Sequence, residues 1–113
     1  MGAGLGPARP SVSADDFLAA SERVLAVRGW FVRSQRRVRE VVAWRDLVVL
    51  LGVERFGLRP RDLAAALGPT PDALSRWVTR GAARRTRDPE VAMLFSRFDT
   101  AVREGLGVTR AAP

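Results

Sequence analysis

The stretch that decides the fold is residues 60–80, PRDLAAALGPTPDALSRWVTR. Its first part has apolar residues at helical spacing, and the Gly-Pro pair at 68–69 stops that helix. Thr70 is a good N-cap residue, and the Pro-Asp pair at 71–72 suits the first turn of a second helix. The segment therefore predicts two short helices joined by a tight turn, the pattern of a helix-turn-helix.

The packing residues of such a motif are present in the right order: Leu63, Ala64, Leu67, Gly68, Leu74 and Trp77. Ala64 is small enough for the point where the two helices cross, and Gly68 tolerates a positive φ at the turn. The second helix then turns short polar residues and two arginines outward, which suits the major groove of DNA. The base-reading candidates are Thr70, Asp72, Ser75, Arg76, Thr79 and Arg80.

Two of these candidates, Arg76 and Arg80, come first because arginine pairs bidentately with guanine O6 and N7. The alternative is that they hold phosphates without reading bases. Asp72 is a candidate acceptor for cytosine N4, with the alternative that it only stabilises the positive end of its helix. Further upstream, we expect Arg45 to pair inside the fold, with Asp46 or Asp62 as acceptors.

Working outward from the motif, the pattern predicts three more helices and no strand. The first runs from a capping Ser13 to about Val27, the second from about Gln35 to Arg55, and the last from Asp88 to about Glu104. The second has an apolar arc wide enough for a central helix. We predict that Gly81 ends the fourth helix and that 82–87 form a basic connector.

The predicted architecture is an all-α, compact bundle of about five helices that contains a helix-turn-helix over about Pro60–Arg80. The domain boundaries follow from these elements. We expect a flexible N-terminal tail over 1–12, a DNA-binding domain over 13–104 and a flexible C-terminal tail over 105–113. The apolar stripe of the last helix closes the core, with a dimer face as its alternative; its residues are Val91, Leu94, Phe95, Phe98 and Val102.

Composition narrows the possible functions. The chain has 113 residues, enough for one small domain. It contains no cysteine, histidine, tyrosine or lysine, which removes thiolate and imidazole metal sites, the usual general base and Schiff-base chemistry. We therefore expect no enzyme activity, no catalytic residues, no cofactor and no metal. The most apolar run, 41–53, is interrupted by charges and is too short to cross a bilayer, so a cytoplasmic, nucleoid-associated location is expected.

The formal net charge is +7, and every one of the 19 basic residues is an arginine. The excess is concentrated: residues 28–61 hold nine arginines against three acids, and 70–87 hold five against one. Such clustering favours a polyanionic partner. The candidates for the DNA backbone or minor groove are Arg36, Arg37, Arg39, Arg84, Arg85 and Arg87, with solvated arginines as the alternative.

The run Arg36-Arg37-Val38-Arg39-Glu40-Val41-Val42, followed by Arg45, Leu51, Leu63 and Gly68, resembles the C-terminal DNA-binding domain (domain IV) of the replication initiator DnaA. The resemblance implies that Arg37 and Arg39 approach the minor groove and backbone, and that Arg76 belongs to the major-groove helix. The initiator signature Gly-Gly-Arg-Asp-His-Ser/Thr-Thr-Val is absent, so its base specificity is not carried over.

The pattern Leu63-Ala64, Leu67-Gly68, Thr70, Ala73, Ser75-Arg76 and Arg80-Gly81 is similar to the C-terminal tail of REP-associated tyrosine transposases. Those enzymes cut DNA with histidines and a tyrosine in a separate domain, and neither residue type occurs here. The resemblance implies a free-standing or remnant DNA-binding domain of transposase or replication-initiator type, with a catalytic partner on another chain as one option.

The leading hypothesis is a non-enzymatic, sequence-specific binder of double-stranded DNA. The alternative is a helix-turn-helix interaction module that forms a homodimer and does not read sequence. An RNA binder is a third option, which would need aromatic residues interleaved with arginines on one exposed face.

Overall fold

The structure, a computed structural model, describes residues 12–26 and 39–107, with side chains described from Trp44 onward in the second segment. These residues form five α-helices: α1 (Ala14–Ala26), α2 (Arg39–Phe56), α3 (Pro60–Leu67), α4 (Pro71–Arg87) and α5 (Pro89–Leu106). The described residues contain no strand. The predicted all-α bundle of five helices is confirmed.

Polar caps start the helices where the sequence predicts them. The N–H of Asp16 donates to Ser13 Oγ at 3.1 Å, which caps α1. The N–H of Ala73 donates to Thr70 Oγ1 at 3.2 Å, and that of Glu90 to Asp88 Oδ1 at 2.9 Å. Each bond satisfies one of the backbone donors that a helix leaves unpaired at its N-terminus.

The second helix, α2, is the centre of the bundle and contacts each of the other four. Residues 46–52 are buried without interruption, as the wide apolar arc predicts. α4 lies along α2, and α1 packs mainly on α5. The α5 stripe belongs to the core rather than to a free surface, since Phe95, Phe98 and Val102 are buried. Val12, assigned to the N-terminal tail, packs against this core half-buried.

The prediction that Gly81 ends the fourth helix is wrong. α4 continues through Gly81 to Arg87, so the expected connector at 82–87 is helical. Gly81 is buried and serves a close approach: a Cβ built on it would lie 2.7 Å from the carbonyl oxygen of Asp46. Gly81 is therefore needed for its small size and not for its ability to form a turn.

The predicted end of α5 is also wrong by about two residues. Gly105 lies inside the helix, and the chain leaves it at Gly107, whose φ is 68°. Leu106 packs against the core, which holds this last turn in place. A glycine inside a helix costs only about 1 kcal/mol, and packing readily offsets that cost. The assigned tail at 105–113 therefore begins inside α5.

Candidate nucleic-acid interface

The two helices of the predicted motif are joined by three residues, Gly68 to Thr70. Gly68 has a φ of 107°, in the region that favours glycine, and its N–H donates to the carbonyl of Ala64 at 2.8 Å. Behind this link, Leu63, Ala64 and Leu74 are buried. The link therefore fixes α3 and α4 against the same core, so the outward face of α4 has a defined position.

The six base-reading candidates all lie on the exposed surface: Thr70, Asp72, Ser75, Arg76, Thr79 and Arg80. Arg76 and Arg80 are one turn apart on α4, about 6 Å along its axis. The hydroxyl of Thr79 donates to the carbonyl of Ser75 at 3.1 Å, so its oxygen keeps acceptor capacity toward solvent. The structure thus brings the six residues together on the N-cap and the first ten residues of α4.

The two arginines of this face have different surroundings. Arg76 is exposed and makes no ion pair with the described residues. Arg80 donates from Nε to Asp46 Oδ2 at 2.7 Å and from Nη2 to Asp46 Oδ1 at 2.9 Å. This hydrogen bonding raises the pKa of Arg80 above its ordinary value. Arg76 is therefore a cation with no ion-pair partner in the described part of the chain, and Arg80 is a cation held in place by a buried carboxylate.

The three arginines of the second half of α4 do not form one group. Arg85 is nine residues from Arg76, which at about 100° per residue puts it on the opposite side of the helix. Its Nη2 donates to Glu54 Oε2 at 2.8 Å, and its guanidinium lies over the ring of Phe95 at 4.9 Å. The hydrogen bond to Glu54 raises the pKa of Arg85. Arg85 therefore belongs to the packing of α4 on α2 and α5.

The other two arginines, Arg84 and Arg87, lie closer to the direction of Arg76. Arg87 is exposed and has no ion pair with a described residue. Arg84 is half-buried, and its Nε is buried without a hydrogen-bond partner in the described part of the chain. By helical geometry, Arg76, Arg80, Arg84 and Arg87 fall within an arc of about 80° over roughly 16 Å of axis. They form a stripe down one side of α4.

The upstream arginine cluster lies largely outside the described residues. Arg36 and Arg37 precede the described segment, and only the backbone of Arg39, the first residue of α2, is described. Their assignment to the DNA backbone or minor groove stays a prediction.

Two exposed cations were not predicted as site residues from the sequence, and one acid has a different partner from the one expected. Arg59 and Arg61 flank the first residue of α3, are exposed, and make no ion pair with described residues. Asp46 was expected to serve Arg45, yet its carboxylate accepts from Arg80. The Arg45 guanidinium lies over the Trp77 ring at 4.7 Å. An acidic residue inside an apolar helical run predicts that a cation pairs with it in the fold, but the spacing of the sequence does not identify that cation.

None of the described helices combines the length and hydropathy that a bilayer span needs. The described residues also hold no cluster of three or more side chains suited to a metal ion. No protein-family model matches the chain, and neither a curated protein nor a solved structure gives a significant match. The resemblance to the DnaA and transposase DNA-binding domains therefore stays a prediction.

Proposed function

We propose that this chain binds double-stranded DNA in a sequence-specific way and catalyses no reaction. In this proposal α3 and α4 act as a helix-turn-helix, and the N-terminal half of α4 enters the major groove. One observation carries the proposal: five exposed residues with the chemistry of base reading lie on one side of a helix that is anchored from behind, and the sixth, Thr70, is the N-cap of that helix. Recognition helices characteristically read bases with their N-terminal residues, so the position of this face supports the assignment.

Four of the five arginines of α4 take a role that follows from their surroundings, and Arg80 keeps the base-reading role predicted for it. Arg76, which is unpaired among the described residues, is the leading base reader. Arg84 and Arg87 lie further along the same stripe, where contacts to the phosphate backbone are expected. Arg85 is left out of the interface because it faces α2 and α5. Arg36, Arg37 and Arg39 keep the backbone or minor-groove role that the resemblance implies.

The alternative, a dimerising interaction module, was tied to the apolar stripe of α5. That stripe is packed into the core through Phe95, Phe98 and Val102, and its other two residues, Val91 and Leu94, pack half-buried against the core. The DNA-binding proposal therefore keeps its predicted surface on α4, whereas the stripe on which the dimer proposal was based is largely taken up by the core. A DNA-binding domain of this type fits a role in transposition or replication initiation, and an association with the nucleoid.

The proposal is tested by fluorescence anisotropy with a random-sequence duplex library over a salt series, followed by sequencing of the bound duplexes. We expect an enriched motif and a steep salt dependence, about 0.9 in log–log slope for each phosphate neutralised. Arg76→Ala should relax one base position and weaken specific binding by about 1–3 kcal/mol.

Arg85→Ala is the matched control, because it removes the same charge from the same helix on the opposite side. It should keep the base preference of the wild type. Equal losses in Arg76→Ala and Arg85→Ala would mean that only total charge matters. A chain that binds no duplex at low salt would refute the proposal altogether.

A further inference from the structure

The carboxylate of Asp46 is the most costly group behind the proposed reading face. Its residue is fully buried in α2, between Trp44 and Leu47, which are also buried. Moving a carboxylate out of water costs several kcal/mol unless it is paired and hydrogen-bonded. Here both of its oxygens accept from the guanidinium of Arg80, at 2.7 and 2.9 Å. Among the described residues, the buried charge of Asp46 is therefore compensated by Arg80.

A second costly feature lies next to it. Gly81 follows Arg80 in the middle of α4, where a glycine costs about 1 kcal/mol relative to alanine. Because Gly81 has no side chain, the α4 backbone comes so close to α2 that an added Cβ would lie 3.0 Å from the carbonyl carbon of Asp46. This approach brings Arg80 within reach of the carboxylate. Both costs thus serve the same contact.

Stability alone is a poor reason for such a contact. A buried ion pair is often no more stabilising than apolar residues of the same volume, because desolvation cancels most of the attraction. What the pair does supply is orientation. Two parallel hydrogen bonds fix the plane of the guanidinium, which is otherwise at the end of a flexible side chain.

The orientation matters because Arg80 is only partly covered: its side chain is 49% exposed. Nε and one N–H of Nη2 bind Asp46, which leaves Nη1 and the second N–H of Nη2. These form the end-on fork of the guanidinium, and that fork matches guanine O6 and N7. A fork that is already oriented loses less side-chain entropy when it binds its target.

We propose that Asp46 is a specificity-determining positioning residue, which orients the free fork of Arg80 toward a guanine in the major groove. The inference rests on the proposed function. It goes further by assigning a buried α2 residue, which never touches DNA, to the reading of one base pair. An arginine with a freely rotating guanidinium binds a phosphate equally well. The fixed orientation of Arg80 therefore favours a contact with a base over a contact with a phosphate.

The test uses the full chain and the duplex motif that it selects from the random library. Arg80→Lys keeps the charge but has no fork, so it should lower the preference for guanine at one position about tenfold or more. Asp46→Asn keeps the arginine and breaks the bidentate pair, and it should relax the same position. Affinity for non-specific duplex should stay at the wild-type value or rise slightly in Asp46→Asn, since an acid has been removed.

The matched control is Glu54→Gln, which breaks the bidentate pair of Arg85 on the other side of α4 and should leave every base preference unchanged. A purely structural role of Asp46 predicts instead a uniform loss of affinity for all duplexes. If Asp46→Asn does not fold, as judged by circular dichroism, Arg80→Lys decides: a retained guanine preference overturns the inference.

The failures of the two proposals are distinguishable. A wild-type chain that selects a motif, with an Asp46→Asn variant that folds and selects the same motif equally well, overturns the inference alone. The inference is also overturned if Arg80→Lys loses selectivity at a position where the wild type prefers a base other than guanine. A wild-type chain that selects no motif overturns the proposed function, and the role of Asp46 with it.

Discussion

Replacing Gly81 with alanine tests the close contact between α4 and α2. The added Cβ would lie 2.7 Å from the carbonyl oxygen and 3.0 Å from the carbonyl carbon of Asp46. Both are backbone atoms, so neither can rotate away as the end of a side chain can. Ordinary van der Waals contact begins at 3.4 Å, and α4 and α2 must therefore separate by about 0.7 Å or distort locally.

The magnitude follows from two opposing effects. Overpacking of this kind costs about 1–3 kcal/mol, while alanine in place of glycine favours the helix by up to about 1 kcal/mol. Gly105→Ala is the matched control, because Gly105 also lies inside a helix and a Cβ there meets nothing within 4 Å. The control should be neutral or stabilised, and the difference between the two variants isolates the clash at about 1–3 kcal/mol.

The assay is unfolding followed by circular dichroism at 222 nm, by heat and by urea. For a domain of this size, 1 kcal/mol shifts Tm by about 4–8 °C, so Gly81→Ala should melt at least about 4 °C below Gly105→Ala. Helical Cα chemical shifts over residues 82–87 in Gly81→Ala would exclude a strained turn at position 81 as the cause of its lower stability. Two variants of equal stability would refute the close approach of α4 to α2.

Two further predictions concern a cap and an ion pair. Thr70→Ala removes the acceptor for the N–H of Ala73 and should lower the free energy of unfolding in urea by about 1 kcal/mol. Thr86→Ala, at an exposed position of the same helix, is the control and should not lower it. Equal losses of stability in the two variants would argue against the cap. The hydrogen bond from Arg85 lowers the pKa of Glu54, so this pair stabilises the fold above the ordinary carboxyl pKa and less as pH falls through the lowered value. Glu54→Gln should therefore be less stable than wild type at pH 7 and equal to it in acid; a gap that is constant with pH would contradict this.

The parts of the fold that local chemistry determines were predictable from the sequence. Caps at Ser13, Thr70 and Asp88, and the left-handed Gly68, depend on residues within one turn of each other. The central position of α2 followed from its apolar arc. These features need no knowledge of which elements meet, because the backbone donors at a helix terminus must be satisfied locally.

Long-range partners were not predictable in the same way. A glycine after a helical run is equally suited to ending a helix and to letting two helices touch, and only the presence of α2 decides for Gly81. The same holds for the arginines of α4. Sequence places Arg85 in a basic run, but Glu54 and Phe95, which hold it, are 31 and 10 residues away. The clustering of arginines along the sequence therefore does not show which of these cations face outward.

The central helix links the two DNA-binding elements of the proposal. Its first residue, Arg39, belongs to the element assigned to the backbone or minor groove, and Asp46 follows about 10 Å along the same axis. Asp46 holds Arg80, whose neighbour Gly81 lies against the α2 backbone. Because α2 begins at Arg39 and its Asp46 holds Arg80, this helix fixes the distance between the Arg39 backbone and Arg80. In the proposed complex with DNA, a fixed distance between Arg39 and Arg80 would leave little ordering of the protein to occur on binding.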